Sequence, residues 1–354
     1  MSAPLKVLVV PSLLANRPSP YLTDLEAAGL EVLRSPLGRP YGEAELIEGL
    51  SGVFATVAGI EPYTERVLRE ATDLEVIARF GVGYDQIDVP AATRQGVYVA
   101  MAFGGNHETV ADLALALMGA VARNVVTYHQ RVTSGGWGWE FRQGLWRATV
   151  GIVGLGRIGR AVARRCRAYE MRVLAHDVVP DPAYAAGHGI ELTSLERLLR
   201  ESDFVTLHAP HQPETDGLIN AERLRLMKPT AVLINTARGG LVDEPALYDA
   251  LANRRIAGAG LDVFRREPPT GSPLLTLDNV VLTPHAAGSD LASEAASGQC
   301  CVESILAVAR GGAPVSALLL NPEAAAVART RRRRVSPRAP EQPAPRPGAI
   351  VGPL

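Results

Sequence analysis

The sequence predicts an α/β protein made of two doubly wound parallel-sheet domains, and three observations carry that reading. Short β-branched runs alternate with longer helical stretches in two separate series. The runs are apolar throughout and do not alternate with polar residues, which is the pattern of strands covered by helices on both faces. The chain has 354 residues, 47% of them hydrophobic, enough to build two cores.

The first series has strand candidates at KVLVV (6–10), GVFATV (52–57), LEVIARF (74–80) and GVYVA (96–100), with helical patterns such as YLTDLEAAGL and YTERVLREATD between them. Next comes NHETVADLALALMGAVARNVVTYHQRV (106–132), whose apolar residues recur at helical spacing and which reads as one long helix crossing between domains. The second series follows with ATVGIVG (148–154), MRVLAHD (171–177), DFVTLHAP (203–210), AVLINTA (231–237), IAGAGLDV (256–263) and NVVLTPH (279–285). Helices such as GRAVARRCRAY and SLERLLRES separate them. From 321 to 354 the composition turns to Arg and Pro without an apolar period, so this tail is expected to be disordered and its four consecutive arginines to be solvated charge.

Composition excludes some classes of function. A formal net charge of -1 provides no overall field for nucleic acid or an anionic membrane, so an anionic ligand must be held by local groups. Three cysteines, Cys166, Cys300 and Cys301, cannot form a disulfide framework. No signal-peptide pattern or membrane-length apolar run is present, and a cytoplasmic protein is expected.

The strongest local motif is TVGIVGLGRIGRAVARRC. Gly154, Gly156 and Gly159 form G-x-G-x-x-G directly after a strand and at the start of a helix. In that context the first glycine permits a tight turn, the second lets the backbone approach a pyrophosphate, and the third allows close packing of helix on strand. The helix N-terminus then turns free N–H groups toward the phosphates. The next strand ends in Asp177, about twenty residues on, where a carboxylate accepts both ribose hydroxyls of NAD and repels the 2'-phosphate of NADP.

Four further residues follow later strands on the edge where open α/β sheets bind ligands. Arg238 follows AVLIN, Asp262 and Glu267 lie in GLDVFRREPP, and His285 lies in LTPHAAG. Each alone has an ordinary structural reading: an ion pair, a loop carboxylate, a satisfied histidine. Together they place a guanidinium, a carboxylate and an imidazole beside a dinucleotide motif.

Six segments in order resemble the D-isomer-specific 2-hydroxyacid dehydrogenases, most closely their D-3-phosphoglycerate dehydrogenase branch: RFGVGYDQID, GGNHETVADLALALMGAVAR, TVGIVGLGRIGRAVA, LINTARGGLVDEPAL, GAGLDVF with the following EP, and NVVLTPHAAG. The resemblance runs from about residue 45 to 315. It implies a Rossmann NAD-binding domain, 102–285, inserted into a flavodoxin-like substrate domain formed by 1–101 and 286–320. It also implies that Arg238, Glu267 and His285 are the catalytic trio. The cofactor residues are then Gly154, Gly156, Arg157, Ile158 and Gly159 of the loop, Asp177, and Thr236, Ala237 and Asp262 at later strand ends. The substrate residues are Val82 and Gly83 of the FGVGYD loop, Asn106, which reads equally as a helix cap, and Arg238.

These residue types suit the transfer of a hydride between nicotinamide and the 2-carbon of a 2-oxo or 2-hydroxy acid, 3-phosphoglycerate among the candidates. The carbonyl oxygen needs a proton donor, which His285 supplies; a glutamate beside it favours the protonated ring and fixes its tautomer. Arg238 offers paired planar donors to the substrate carboxylate and carbonyl, a fit that lysine lacks. Glu267 argues against a formate-type enzyme, which has glutamine there. A phosphite- or phosphonate-oxidising enzyme on this scaffold, or an NAD-dependent corepressor-like binding protein, stay as alternatives, and NADH oxidation by a 2-oxo acid excludes the second. Arg39, Arg79 and Arg142 are candidates for a distal phosphate. The stretch GGWGWEFRQGLW brings Trp137, Trp139 and Trp146 together and, with the long helix, reads as the contact of a homodimer.

Overall fold

In the computed structural model, residues 3–11, 14, 19–102, 105–315 and 319–332 are described. The chain divides into two units, Met1–Gly105 with Leu291–Leu354, and Asn106–Asp290.

The first unit contains β1 (Lys6–Val9), β2 (Glu31–Arg34), β3 (Ala55–Ala58), β4 (Val76–Arg79) and β5 (Tyr98–Met101). All pair in parallel, in the order β2-β1-β3-β4-β5, the flavodoxin-like arrangement. β3 and β5 are buried at every position, as strands covered on both faces must be. The helix Leu291–Ala309 returns to this sheet and buries Cys301, Val302, Ile305 and Val308 against Val7, Val9, Val57 and Val76. Gly298 permits that approach, because a Cβ there would stand 2.6 Å from the Tyr21 ring. The expected tail is partly folded: the helix Ala324–Arg332 packs Ala324 and Ala328 into this core. The buried Asn321 side chain bonds Val99 N–H, Val97 O and Thr93 Oγ1, tying the segment to the edge of β5. An alanine-rich stretch can bury small side chains beside Gly96, which the Arg and Pro content concealed. Residues 333–354 of the expected tail lie outside the described residues.

The second unit contains β6 (Thr149–Val153), β7 (Arg172–His176), β8 (Ile190–Leu192), β9 (Phe204–Leu207), β10 (Val232–Asn235), β11 (Gly258–Leu261) and β12 (Val280–Leu282). The parallel order is β12-β11-β10-β9-β6-β7-β8. Counted within the unit this is the Rossmann order with one further strand, and it reverses between β6 and β9, the switch point where such sheets bind ligands. The expected single long helix is broken. His107–Ala122 and Val125–Thr133 meet at 59°, with Asn124 between them in the left-handed region at φ 54, a conformation asparagine tolerates better than most residues. The first of these helices lies on β11 through glycines: a Cβ on Gly260 would stand 2.9 Å from Leu117, and one on Gly258 2.7 Å from Val121. Among the described residues no single helix is long and apolar enough to cross a membrane.

Candidate active site

The glycine loop joins β6 to the helix Arg157–Ala168. Gly154 has φ 94, and a Cβ there would stand 2.7 Å from the backbone of Ala209. At Gly159 a Cβ would fall 2.1 Å from the carbonyl oxygen of Gly154, so no side chain fits between helix and turn. Gly156 differs: a Cβ would meet nothing within 4 Å. The space over Gly156 is therefore open, as a backbone that receives a pyrophosphate requires. Arg157 and Ile158 begin the helix whose first N–H groups face that space.

Asp177 stands at the end of β7 and ties this turn to the next. Its Oδ2 accepts Leu155 N–H at 2.7 Å and its Oδ1 accepts Val179 N–H at 2.9 Å. A carboxylate has about four acceptor positions, so two remain for ribose hydroxyls.

Among the described residues, four buried polar atoms on the same unit lack a protein partner: Asn106 Oδ1, His208 Nδ1, Thr236 Oγ1 and Asn279 Oδ1. His208 and Thr236 each follow one residue after the register pair Leu207 and Asn235, so they are neighbours across β9 and β10. Nε2 of His208 is 2.8 Å from Thr206 Oγ1, and burial pushes the ring down to about 3, which keeps it neutral. Asn106 occupies the cap position of His107–Ala122 but makes no side-chain cap bond, so the helix-cap reading fails and its oxygen stays available. Unpaired buried polar atoms are costly. His208 and Thr236, side by side past β9 and β10 with His208 against the Gly154 turn, fit a polar ligand such as a dinucleotide. Thr236 was expected from the sequence and His208 was not; its only sequence signal is a histidine directly after a buried strand.

Arg238 follows β10 with extended backbone, and Nη1 donates to Ala237 O at 2.7 Å. The next residue, Gly239, is pressed against the following loop: a Cβ would lie 1.9 Å from Phe264 C. That packing brings the Arg238 turn beside the loop that carries Glu267. Glu267 Oε1 accepts Phe264 N–H at 3.0 Å, and Oε2 lies 2.7 Å from Nδ1 of His285. Burial raises the Glu267 carboxyl, but the hydrogen bond and charge of His285, the Phe264 N–H and the charge of Arg238 outweigh it and hold the group below the ordinary carboxylate range. It is ionised near neutral pH. Nε2 of His285 has no protein partner among the described residues, and the ring is 38% exposed.

The loop presenting His285 is organised by Asp262. This carboxylate is fully buried and accepts Thr283 Oγ1 at 2.6 Å, Ala286 N–H at 2.8 Å and Ala287 N–H at 2.9 Å. Without such partners a buried carboxylate costs on the order of several kcal/mol. His285 itself takes the left-handed φ of 54, its N–H donating to Asp262 O at 2.8 Å. Asp262, expected at the cofactor, thus spends three acceptor positions on the histidine loop.

Comparison with known proteins agrees with this geometry. Residues 115–287 match the family model described as D-isomer specific 2-hydroxyacid dehydrogenase, NAD binding domain. The chain is 43% identical over 283 residues to a glyoxylate reductase of Korarchaeum cryptofilum, covering 78% of this chain and 85% of the relative. The chain belongs to the D-isomer specific 2-hydroxyacid dehydrogenases. It is accordingly an NAD-binding oxidoreductase. A D-3-phosphoglycerate dehydrogenase of Methanocaldococcus jannaschii is 42% identical, but the match spans only 48% of that relative. Among solved structures, the NADPH-dependent glyoxylate/hydroxypyruvate reductase of Sinorhizobium meliloti superposes with a TM-score of 0.77 at 30% identity, covering 90% of this chain and 98% of that one.

Within this dehydrogenase the three arginines considered for a distal phosphate are all engaged by protein groups. Arg39 forms a two-pronged pair with Glu45, Arg142 lies 3.8 Å from Glu140, and Arg79 bonds backbone carbonyls.

Proposed function

We propose that this dehydrogenase interconverts a short, unphosphorylated 2-oxo acid and its D-2-hydroxy acid, with glyoxylate as the representative substrate. The observation that carries the reaction is the 2.7 Å contact between Glu267 and His285 with Nε2 left open. When bound, the reduced nicotinamide supplies the hydride to the 2-carbon. His285 gives a proton from Nε2 to the carbonyl oxygen as that carbon is reduced, and takes it back in the oxidation direction. Glu267, ionised and fixed by Phe264 N–H, holds the ring by Nδ1 and offsets its charge. Arg238 offers planar donors to the carboxylate and carbonyl of the substrate. The N–H groups of Val82 and Gly83 serve as further carboxylate donors. Gly154 to Gly159, Asp177, Ala237, and the orphaned Thr236 and His208 would hold NAD, and Asn106 the substrate.

The engagement of Arg39, Arg79 and Arg142 supports an unphosphorylated substrate, as does the high coverage of relatives named glyoxylate reductase. NADH oxidation across glyoxylate, pyruvate, hydroxypyruvate and 3-phosphohydroxypyruvate tests it. The expected order puts glyoxylate at least about tenfold above the phosphorylated acid in kcat/KM, roughly 1.4 kcal/mol. The reverse order would return the chain to the phosphoglycerate reading.

The same reading includes a cytoplasmic homodimer. Trp137, Trp139, Phe141 and Trp146 are exposed, as are Val125, Val126 and Val132 on the preceding helix. Clustered exposed apolar residues of this kind suit an interface.

A further inference from the structure

The carboxyl edge of the first unit's sheet holds two charged side chains that the mechanism above does not use. Arg79 ends β4 and lies under the loop that follows it. Its Nε donates to Gly83 O at 2.7 Å, and its Nη1 donates to Phe80 O and, at 3.5 Å, to Ala58 O at the end of β3. The loop crosses the guanidinium at Gly81, whose φ is 120; a Cβ there would stand 3.2 Å from Nη1. Nearby, Glu61 is 2% exposed and its Oε2 accepts Gly59 N–H at 2.7 Å; burial pushes its carboxyl up, against the pull of backbone N–H groups and the charge of Arg79. The far end of the loop is tied down by Tyr63 N–H to Gln86 O at 2.7 Å and Ile87 N–H to Tyr84 O at 2.9 Å.

This arrangement dictates which way the peptides face. In a trans peptide the C=O and N–H point in opposite directions. Drawing Phe80 O and Gly83 O down to the guanidinium therefore turns Gly81 N–H and Tyr84 N–H away from it. Among the described residues, none of the N–H groups of Gly81, Val82, Gly83 and Tyr84 has an intramolecular acceptor. Successive N–H groups without an internal acceptor are what a backbone anion site requires, and here the carbonyls of the two outer peptides are held by the guanidinium.

We propose that Arg79 is a positioning residue: by gripping the carbonyls of Phe80, Gly83 and Ala58 it holds the 81–84 loop with the Gly81 and Tyr84 N–H groups outward for the substrate carboxylate, and the buried Glu61 carboxyl stands within reach of its charge. The inference rests on the reading of this loop as a carboxylate site. It assigns Arg79 no contact with a distal substrate group, in contrast to the phosphate-binding role considered from the sequence.

The test compares the full chain with Arg79→Lys and Glu61→Gln, using steady-state kinetics with glyoxylate and NADH binding followed by fluorescence. A lysine keeps the charge but lacks the forked donors needed to span the carbonyls. Arg79→Lys is expected to raise KM for glyoxylate by about tenfold or more, with kcat within about threefold and NADH affinity unchanged. Glu61→Gln should raise KM in the same sense and less. An unchanged KM for glyoxylate, or a rise confined to 3-phosphohydroxypyruvate, overturns the proposal; the second outcome would mean direct contact with a distal phosphate. A parallel loss of kcat, KM and NADH affinity also overturns it, since that is general damage to the fold. Should Arg79→Lys not fold, Glu61→Gln and Gly81→Ala decide, and normal KM in both is fatal. Wild-type protein that turns over no 2-oxo acid would instead indict the proposed function, and is measured first.

Discussion

The two sheets present their carboxyl edges in different ways. On the second unit the edge carries side chains with chemistry: the imidazole of His285, the carboxylate of Glu267 and the guanidinium of Arg238, with buried atoms of His208 and Thr236 left unpaired. On the first unit the charged side chains turn inward, Arg79 to backbone carbonyls and Glu61 to Gly59 N–H, and the groups turned outward are peptide N–H. A group that must gain and lose a proton has to be a side chain with a titratable atom. A group that only holds a fixed anion does better as backbone, which neither titrates nor has rotamers to lose. Substitutions of His285 and Asp177 on the second edge should therefore act on turnover or cofactor, and those behind the first edge on KM for the oxo acid.

The largest effect is expected at His285. His285→Ala should lower kcat on the best 2-oxo acid by about two to four orders of magnitude, the usual range for a general acid. NADH affinity should be nearly intact, because the ring touches neither the glycine loop nor Asp177. Stopped-flow reduction and fluorescence titration measure the two quantities separately. Near wild-type turnover, or a change in KM alone, would break the division between the edges and return His285 to a structural role.

A smaller effect is expected at Asp177, where the second edge meets the cofactor. The intact enzyme should prefer NADH over NADPH, since a 2'-phosphate would face this carboxylate and the flanking Val178 and Val179 offer no cation. Asp177→Ala should narrow that preference by about tenfold or more, by removing both a ribose acceptor and a repelling charge. KM for glyoxylate should not move. Equal kcat/KM of the wild type with both cofactors would sink the assignment, and the NADPH-dependent relative at 30% identity shows that the scaffold permits that outcome.

How much of this was legible in the sequence follows from where each feature gets its energy. The central strands were legible because a strand covered on both faces is a continuous apolar run. Two edge strands, Glu31–Arg34 and Ile190–Leu192, were not, because each is short and partly exposed and so lacks that run. The break at Asn124 escaped because the apolar period continues across a bend that depends on one left-handed residue. Arg238, Glu267 and His285 were visible as chemistry after successive strands. The work of Asp262 on the histidine loop was not, nor was the grip of Arg79 on three carbonyls, since both consist of hydrogen bonds to backbone groups brought together only by the fold. His208 is illegible in the sequence for the same reason: its neutrality and unpaired Nδ1 come from burial.

The smallest catalytic effect is expected where neither edge is touched. Trp139 and Phe141 pack edge to face with ring centres 5.2 Å apart, yet are 71% and 93% exposed. Such apolar surface is rarely left in water unless a partner covers it. If a second copy does so, Trp139→Ser with Phe141→Ser removes two aromatic anchors from the contact. Aromatic residues at the centre of an interface each contribute about 2 kcal/mol or more, so dimer dissociation should shift by about two orders of magnitude or more in concentration. At concentrations that keep the variant paired, kcat, KM and cofactor preference should each stay within about twofold, because the proposed mechanism gives the segment no catalytic or binding role. Sedimentation velocity over a dilution series reads the assembly, and the same samples assayed with glyoxylate read the rest. A wild-type monomer at every concentration would remove the homodimer, whereas a paired variant with altered KM would show that the aromatic segment takes part in substrate binding.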